Sequence, residues 1–294
     1  MGLFLLGMDK ERKFVYRRNC EISHDIVFPA DMTRVVASVE YNGASYNGFQ
    51  KQKSTTNTIQ THVEHGLSQI AKENITLVCA GRTDAGVHAS SQIVHFDTLA
   101  VRPNKAWIKG VNAFLPDTIR MRWAQNVDVS FHARFQARAR TYRYIIYANS
   151  VAPAILDKQV TWVRHQLDVQ AMSDACKFLV GRHDFSSFRA SRCQASNATR
   201  EIYDLSLRPC GQFIVMEVKA NAFLLHMVRN IAGAIIEVGK GNYPSYWVGD
   251  LLHMCDRTQG PMTASPYGLY FVNVEYDDKY ELPYLPKGPL ILPE

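Results

Sequence analysis

An aspartate in the segment CAGRTDAGVHAS, residues 79–90, is the side chain best suited to chemistry in this sequence. Asp84 stands among small residues and glycines, and Arg82 precedes it by two positions. The apolar runs Ile75–Val78 and Gln92–Phe96 predict strands on either side, so we expect Asp84 on a loop between them. Pairing with Arg82 would keep the carboxylate ionised, as a nucleophile or general base requires. The alternative is a structural aspartate that bonds nearby backbone in a turn.

The most basic stretch of the chain, FHARFQARARTYRYIIY at residues 131–147, interleaves arginines with aromatic residues. In an extended strand, Arg140, Tyr142 and Tyr144 would share one face. Cations beside aromatic rings suit nucleic acid, because they offer contacts to phosphates and stacking surfaces for unpaired bases. The alternative is a solvated edge strand with aromatic packing beneath it. The arginines that we expect to meet phosphates are Arg138, Arg140 and Arg143.

A third candidate group lies in an apolar helical segment, NAFLLHMVRNIAGAIIEVG at residues 221–239. Its apolar residues recur at helical spacing, and we expect Gly239 to end the helix. His226 and Arg229 stand three positions apart and off the apolar stripe, so they could face a phosphate. The alternative for this pair is a surface salt bridge.

The composition excludes several classes of protein. Hydrophobic residues make up 47% and charged residues 20% of the 294 positions, as in ordinary globular proteins. The net charge of +6 permits a polyanionic partner without demanding one. The six cysteines lack the spacing of a metal site or a disulfide framework, so we expect reduced thiols in a cytosolic protein, without a metal. No apolar run reaches the ~20 residues that cross a bilayer, so we expect no membrane partner.

The remaining pattern predicts an α+β chain built from two units. Residues 1–31 lack clear periodicity, and we expect a flexible extension or a true start at Met32. A first unit would cover residues 32–147, followed by a connection at 148–169 and a second unit at 170–294. Helices are predicted at Ile59–Ile70, Asn104–Phe114, Ala171–Val180 and Tyr246–Cys255. Further strands are predicted from Thr33 and at Ile119–Trp123, Glu201–Leu207, Phe213–Lys219 and residues 266–276.

The segment YNGASYNGFQKQ, residues 41–52, opens a series of motifs with a family resemblance. By itself it predicts a loop that exposes aromatic and basic side chains. With CAGRTDAGVHAS, FHARF followed by TYRYI, GRHDFSSFRA, NAFLLHMVRNIAG and GLYF, it resembles the tRNA pseudouridine synthase A (TruA) family. The motifs occur in family order, and the resemblance covers Thr33 to Leu292. Two positions depart from the family pattern, Phe49 in place of Trp and Asn42 in place of Asp, and we assign them no role.

The resemblance implies two ferredoxin-like α+β domains whose antiparallel sheets form one continuous surface with a basic central cleft for RNA. It also implies isomerisation of uridine to pseudouridine in the anticodon stem-loop of tRNA. The enzyme would be a cytoplasmic homodimer in which one tRNA contacts both subunits. Neither a cofactor nor a metal is expected from the resemblance.

The resemblance also assigns roles to individual residues. Asp84 matches the catalytic aspartate of the family, and Arg82 matches the arginine that pairs with it and helps to hold a flipped nucleotide. Tyr142, the first tyrosine of TYRYI, matches the tyrosine that stacks on the target base. Leu269 of GLYF matches an apolar residue that lines the base pocket.

Three alternatives to this function use the same residues. A tRNA-binding or folding factor would keep the cationic and aromatic strand, but it would not require an intact Gly-Arg-Thr-Asp-Ala-Gly. Hydrolysis of a nucleoside or glycoside usually needs a second acid or base at a defined distance, and no partner carboxylate is evident in the sequence. A sister synthase of similar fold would act at other positions in tRNA or other RNA.

Overall fold

The computed structural model describes residues 31–292, together with two short strands in the segment before them. These strands, Lys13–Phe14 (β1) and Ile26–Val27 (β2), pair antiparallel with each other. The prediction of a flexible extension over residues 1–31 otherwise lies outside the described residues.

From residue 31 onward, the described part of the first half contains four further strands and two α-helices. They are β3 (Thr33–Tyr41), α1 (Ile59–Ala71), β4 (Leu77–Cys79), β5 (His88–Thr98), α2 (Asn104–Asn112) and β6 (Ile119–Val127). Helix α1 begins after Thr58, whose hydroxyl accepts a hydrogen bond from the backbone nitrogen of Thr61. Its apolar stripe faces the core, as the helical spacing predicted.

The second half begins with the basic strand and ends with a strand that returns to the first half. Its elements are β7 (Ala139–Ala148), β8 (Thr161–Val163), α3 (Val169–Cys176), β9 (Gly181–Asp184), β10 (Thr199–Cys210), β11 (Phe213–Ala220), α4 (Met227–Gly239), α5 (Trp247–Met254) and β12 (Leu269–Glu275). Helix α4 ends at Gly239 as predicted, but it starts six residues later than Asn221. His226 has a φ of 61°, a left-handed conformation that an α-helix does not include, so the helix begins after it.

In the described part of the chain, ten strands form one mixed sheet. Its order is β6-β3-β5-β12-β7-β11-β10-β9, with β4 added to β5 and β8 added to β7. The last strand in sequence, β12, lies in the middle, parallel to β5 and antiparallel to β7. A continuous sheet is therefore present. It is mixed and not purely antiparallel, because β12 reaches β5 through a long crossover and not a hairpin.

Strand β7 ends just beyond residue 147, where the first unit was predicted to finish. It pairs antiparallel with β11 on one side and with β12 on the other. Strand β7, which the sequence assigned to the first unit, therefore lies between two strands from later in the chain.

A shared apolar core connects the two halves. Leu67 of α1, Tyr144 of β7 and Ile231 of α4 are fully buried in one continuous cluster. Burial of a side chain of this size contributes about 1.5–3 kcal/mol relative to exposure. Ile145 and Val272 belong to a smaller cluster on the other sheet face, because successive strand residues alternate. Among the described helices, none has both the length and the apolar character of a membrane span.

Candidate active site

Asp84 lies on the loop between β4 and β5, as the flanking apolar runs predicted. The loop closes a turn in which the backbone nitrogen of Val87 donates to the Asp84 carbonyl oxygen at 3.2 Å. Gly86 has a φ of +83°, a conformation that favours glycine. The Asp84 side chain is 23% exposed, so it can be reached from outside although most of its surface is enclosed.

Two side chains contact Asp84, one from the residue just before α4 and one from its first turn. Arg229 Nη1 lies 3.2 Å from Asp84 Oδ2, and His226 Nε2 lies 3.5 Å from the same oxygen. Both side chains were predicted either to face a phosphate or to form a surface salt bridge. In the structure they contact Asp84, because the left-handed turn at His226 and the first turn of α4 lie against residues 80–87, which we call the catalytic loop after the role expected for Asp84.

Arg82 was expected to pair with Asp84, and this expectation was wrong. Within the described part of the chain, the guanidinium that pairs with Asp84 belongs to Arg229. Arg82 is exposed, whereas its neighbour Thr83 is buried. The Thr83 hydroxyl lies 2.8 Å from that of Tyr41, and this contact fixes the direction of the loop.

The charge beside Asp84 comes from Arg229 and not from His226. Burial lowers the pKa of His226, the Asp84 carboxylate opposes this shift, and Arg229 and Arg257 lower the pKa further. The neutral imidazole is therefore favoured near neutral pH. It can still donate a hydrogen bond to Asp84 if Nε2 carries the proton.

The segment YNGASYNGFQKQ packs against the backbone of the catalytic loop. The backbone nitrogen of Phe49 donates to the Thr83 oxygen at 3.0 Å. A Cβ on Gly43 would lie 1.8 Å from the Val87 oxygen, and a Cβ on Gly48 would lie 2.9 Å from the Thr83 oxygen. The prediction of exposed aromatic side chains was wrong for this segment. Phe49 and Tyr46 are buried, because the Phe49 ring packs 6.0 Å from the Tyr41 ring and the Tyr46 hydroxyl lies 2.6 Å from that of Thr118.

His88 links this segment to the chain that precedes β12. Its Nδ1 accepts from the backbone nitrogen of Gly43 at 3.1 Å, and its Nε2 lies 2.9 Å from the Tyr267 oxygen, to which it can donate. Burial lowers the pKa of His88 to about 4. The neutral ring therefore acts as a structural connector. Among the described residues, no group of three or more His, Cys, Asp or Glu side chains is placed to hold a metal ion.

Tyr142 and Leu269 lie on the adjacent strands β7 and β12. Both are largely buried. The Tyr142 ring lies 5.0 Å from the Phe223 ring and 4.7 Å from the Phe271 ring, measured between centroids. These two phenylalanines were not predicted as site residues. The sequence could have indicated them as site residues, because they lie in the motifs NAFLLHMVRNIAG and GLYF.

Arg140 was predicted to meet phosphates, but it is engaged inside the protein. Its guanidinium donates hydrogen bonds of 2.6–3.1 Å to the backbone oxygens of four residues, Ala80, Arg134, Ala137 and Asn221. A planar guanidinium with five donors suits such a convergence of carbonyl groups. Arg140 therefore joins the start of the catalytic loop to β7 and to the segment that precedes α4.

Arg143 is engaged by other groups of the protein, as Arg140 is, whereas Arg138 is largely exposed. Arg143 lies on the opposite sheet face, where Nε donates to Glu217 at 2.6 Å and Nη1 donates to the backbone oxygens of Lys287 and Gly288. The predicted phosphate contact was therefore wrong for Arg143, because the strand alternates between its two faces. Arg138 is 65% exposed and pairs with Asp277 at the surface, so it remains accessible to a polyanion.

Comparison with known proteins defines the class to which this fold and site belong. The family model described as tRNA pseudouridine synthase matches residues 37–136 and 175–277. The chain therefore belongs to the tRNA pseudouridine synthases, which are isomerases. Within that class it belongs to the tRNA pseudouridine synthase A family, in agreement with the resemblance of its motifs.

Two relatives and one solved structure illustrate these similarities. The chain is 50% identical over 259 residues to tRNA pseudouridine synthase A of Pseudoalteromonas atlantica, covering 88% of this chain and 98% of the relative. It is 48% identical over 263 residues to the synthase of Alcanivorax borkumensis, covering 90% and 98%. An H/ACA RNP bound to a substrate RNA is 10% identical with a TM-score of 0.33, covering 81% of this chain and 47% of that one. This last likeness is too distant to support an argument.

The connector role of His88 predicts a dependence of stability on pH. Its pKa is about 4 in the folded protein and ~6.5 in an unfolded chain, so the unfolded state binds the proton first as pH falls. The stabilisation is complete above pH ~6.5 and is lost towards pH 4, by about 1.4 kcal/mol per pH unit. Urea unfolding at several pH values should show a shallower slope for His88→Asn than for the wild type. His253→Asn, at an exposed histidine, is the control, and equal slopes for His88→Asn and the wild type would contradict this role.

Proposed function

We propose that this chain converts uridine to pseudouridine in the anticodon stem-loop of tRNA, with Asp84 as the catalytic carboxylate. The observation that carries the proposal is the convergence of two halves of the chain on this residue. The first half contributes the loop with Asp84, and α4 of the second half contributes Arg229 at 3.2 Å. Tyr142 and Leu269 lie on the adjacent central strands β7 and β12 of the sheet, and the Tyr142 hydroxyl approaches Gly81 of the catalytic loop.

The reaction needs a carboxylate but no external reagent. The C1′–N1 bond of uridine breaks, the uracil rotates while it is held, and C5 forms a bond to C1′. C5 then loses its proton and N1 gains one, so no cofactor is consumed. Asp84 can attack C1′, attack C6 of the uracil, or remove a ribose proton, and each route needs an ionised carboxylate. Because Arg229 and His226 both contact Oδ2, we assign the reacting role to Oδ1.

Access to the target base requires that it leave its stack. Unstacking a base costs a few kcal/mol, and stacking on an aromatic ring recovers about 1–3 kcal/mol. We assign this stacking to Tyr142, whose ring is held in one orientation by its contacts with Phe223 and Phe271. Leu269 provides an apolar wall. We assign Arg82, which is exposed two residues before Asp84, to holding the flipped nucleotide.

The assembly that we propose follows the family resemblance. The two halves would be ferredoxin-like domains joined along β12, with a basic cleft that holds the RNA. Arg138, which directly precedes β7 and is 65% exposed, is the predicted arginine that we retain for phosphate contact. The enzyme would act as a cytoplasmic homodimer, without a cofactor or a metal, and one tRNA would contact both subunits.

Carbodiimide mapping of pseudouridine in tRNA, with and without the purified protein, tests the proposed function directly. We expect new pseudouridines in the anticodon stem-loop. Modification confined to other positions would indicate a sister synthase, and release of free uracil would indicate a hydrolase. Binding of tRNA without any modification would indicate a binding or folding factor.

Replacement of the catalytic carboxylate should separate turnover from binding. Asp84→Asn keeps the shape of the side chain but removes its basicity and nucleophilicity, so turnover should vanish while the Kd for tRNA changes by less than about threefold. Single-turnover assays and binding titrations measure the two effects. Asp117→Asn, at a fully exposed aspartate, is the matched control. Retention of more than about 5% of the wild-type rate by Asp84→Asn would rule out its central role.

The stacking role of Tyr142 should depend on its ring and not on its hydroxyl. Tyr142→Phe keeps the ring and should retain most of the activity. Tyr142→Leu keeps much of the volume but removes the stacking surface, so the rate should fall by about 5-fold or more. Thermal unfolding of both variants shows whether the core between Phe223 and Phe271 is preserved. Equal rates for two folded variants would contradict stacking.

A further inference from the structure

Residues 261–268, which we call the strap, pass from the region after α5 to the start of β12. The strap is attached to α4 at consecutive positions. Ala264 exchanges two hydrogen bonds with Arg229, because its oxygen accepts from Arg229 Nε at 2.9 Å and its nitrogen donates to the Arg229 oxygen at 3.3 Å. The side chain that pairs with Asp84 is therefore oriented by a strap carbonyl.

A buried amide holds the preceding strap residue. Asn230 is 2% exposed, and its Oδ1 accepts from the Thr263 hydroxyl at 2.7 Å and from Arg257 Nη2 at 3.1 Å. Its Nδ2 donates to the Phe188 oxygen at 2.8 Å. Arg257 Nη2 also donates to the Pro261 oxygen at 2.8 Å. Adjacent residues of α4 thus hold adjacent residues of the strap.

The backbone of the strap lies directly on α4 and on the catalytic loop. A Cβ added to Gly233 of α4 would lie 2.7 Å from the Met262 oxygen. A Cβ added to Gly86 of the catalytic loop would lie 2.8 Å from Pro266 Cγ. The strap oxygen of Tyr267 lies 2.9 Å from His88 Nε2. One short segment therefore contacts both structures that bring Asp84 and Arg229 together.

We propose that Asn230 and Thr263 are positioning residues for the reaction, acting through Arg229. Their hydrogen bond fixes the strap beside α4, so that the Ala264 oxygen directs the Arg229 guanidinium at Asp84 Oδ2. Loss of the bond lets the guanidinium shift, and a shift of about 1 Å at a reacting group can reduce a rate by about 100-fold. The effect falls on the chemical step, because the strap acts on Arg229, whose guanidinium pairs with Asp84.

The test compares Thr263→Val, Thr263→Ser and the wild type at saturating enzyme. Valine has nearly the same shape as threonine, and Thr263 is partly exposed, so the Thr263→Val variant should fold. We expect its single-turnover rate of pseudouridine formation to fall about 10-fold or more, with a Kd for tRNA within about twofold of the wild type. Thr263→Ser restores the hydroxyl and should recover most of the rate. The matched control is Thr258→Val, which removes a hydroxyl bonded to Asp256 in the turn before the strap.

The inference rests on the proposed role of Asp84. Comparison of the wild type with Asp84→Asn in the same assay tests that role separately. Persistence of activity in Asp84→Asn would overturn that role. With that role intact, a wild-type rate for Thr263→Val would overturn the positioning role. An equal loss of rate in Thr258→Val, or an effect of Thr263→Val on the Kd alone, would also overturn the positioning role. Thermal unfolding of each variant confirms that the rates come from folded protein.

Discussion

The ion pair between Asp84 and Arg229 is the interaction on which the rest of this structure depends. Its two residues are 145 positions apart in sequence, and each belongs to a different half of the chain. They meet because β12 returns from the end of the chain to the middle of the sheet, between β5 and β7. The catalytic loop precedes β5 directly, and the strap that orients Arg229 runs into β12.

Much of the surrounding structure limits the freedom of this pair. Gly43 and Gly48 let one segment lie against the backbone of the catalytic loop, where any side chain would collide. Arg140 ties the Ala80 oxygen at the start of that loop to β7. A partly buried carboxylate that lost its guanidinium would be left without a counter-charge, which is strongly unfavourable in a protein interior. Rigid support on both sides therefore serves stability as well as reactivity.

The sequence was informative where local physical chemistry decides the structure. The spacing of Ile59, Val63 and Leu67 predicted α1, and the apolar runs around Asp84 predicted its loop. The partner of Asp84 could not be predicted, because proximity in sequence favoured Arg82 and the contact with Arg229 is created by the tertiary fold. The roles of Arg140 and Arg143 were missed for a similar reason. Alternation along a strand predicts two faces, but only neighbouring strands determine which arginine meets carbonyl groups and which meets a carboxylate.

The most direct test of this account is the effect of Arg229→Ala on rate and on affinity. If Arg229 serves Asp84, the single-turnover rate at saturating tRNA should fall by about 100-fold or more, while the salt dependence of tRNA binding stays the same. If Arg229 instead contacts a phosphate, the Kd should rise and its slope against salt on a log–log plot should become shallower by somewhat under one unit. The rate at saturation would then be preserved. That second result would contradict the pairing of Asp84 with Arg229 as the centre of the site.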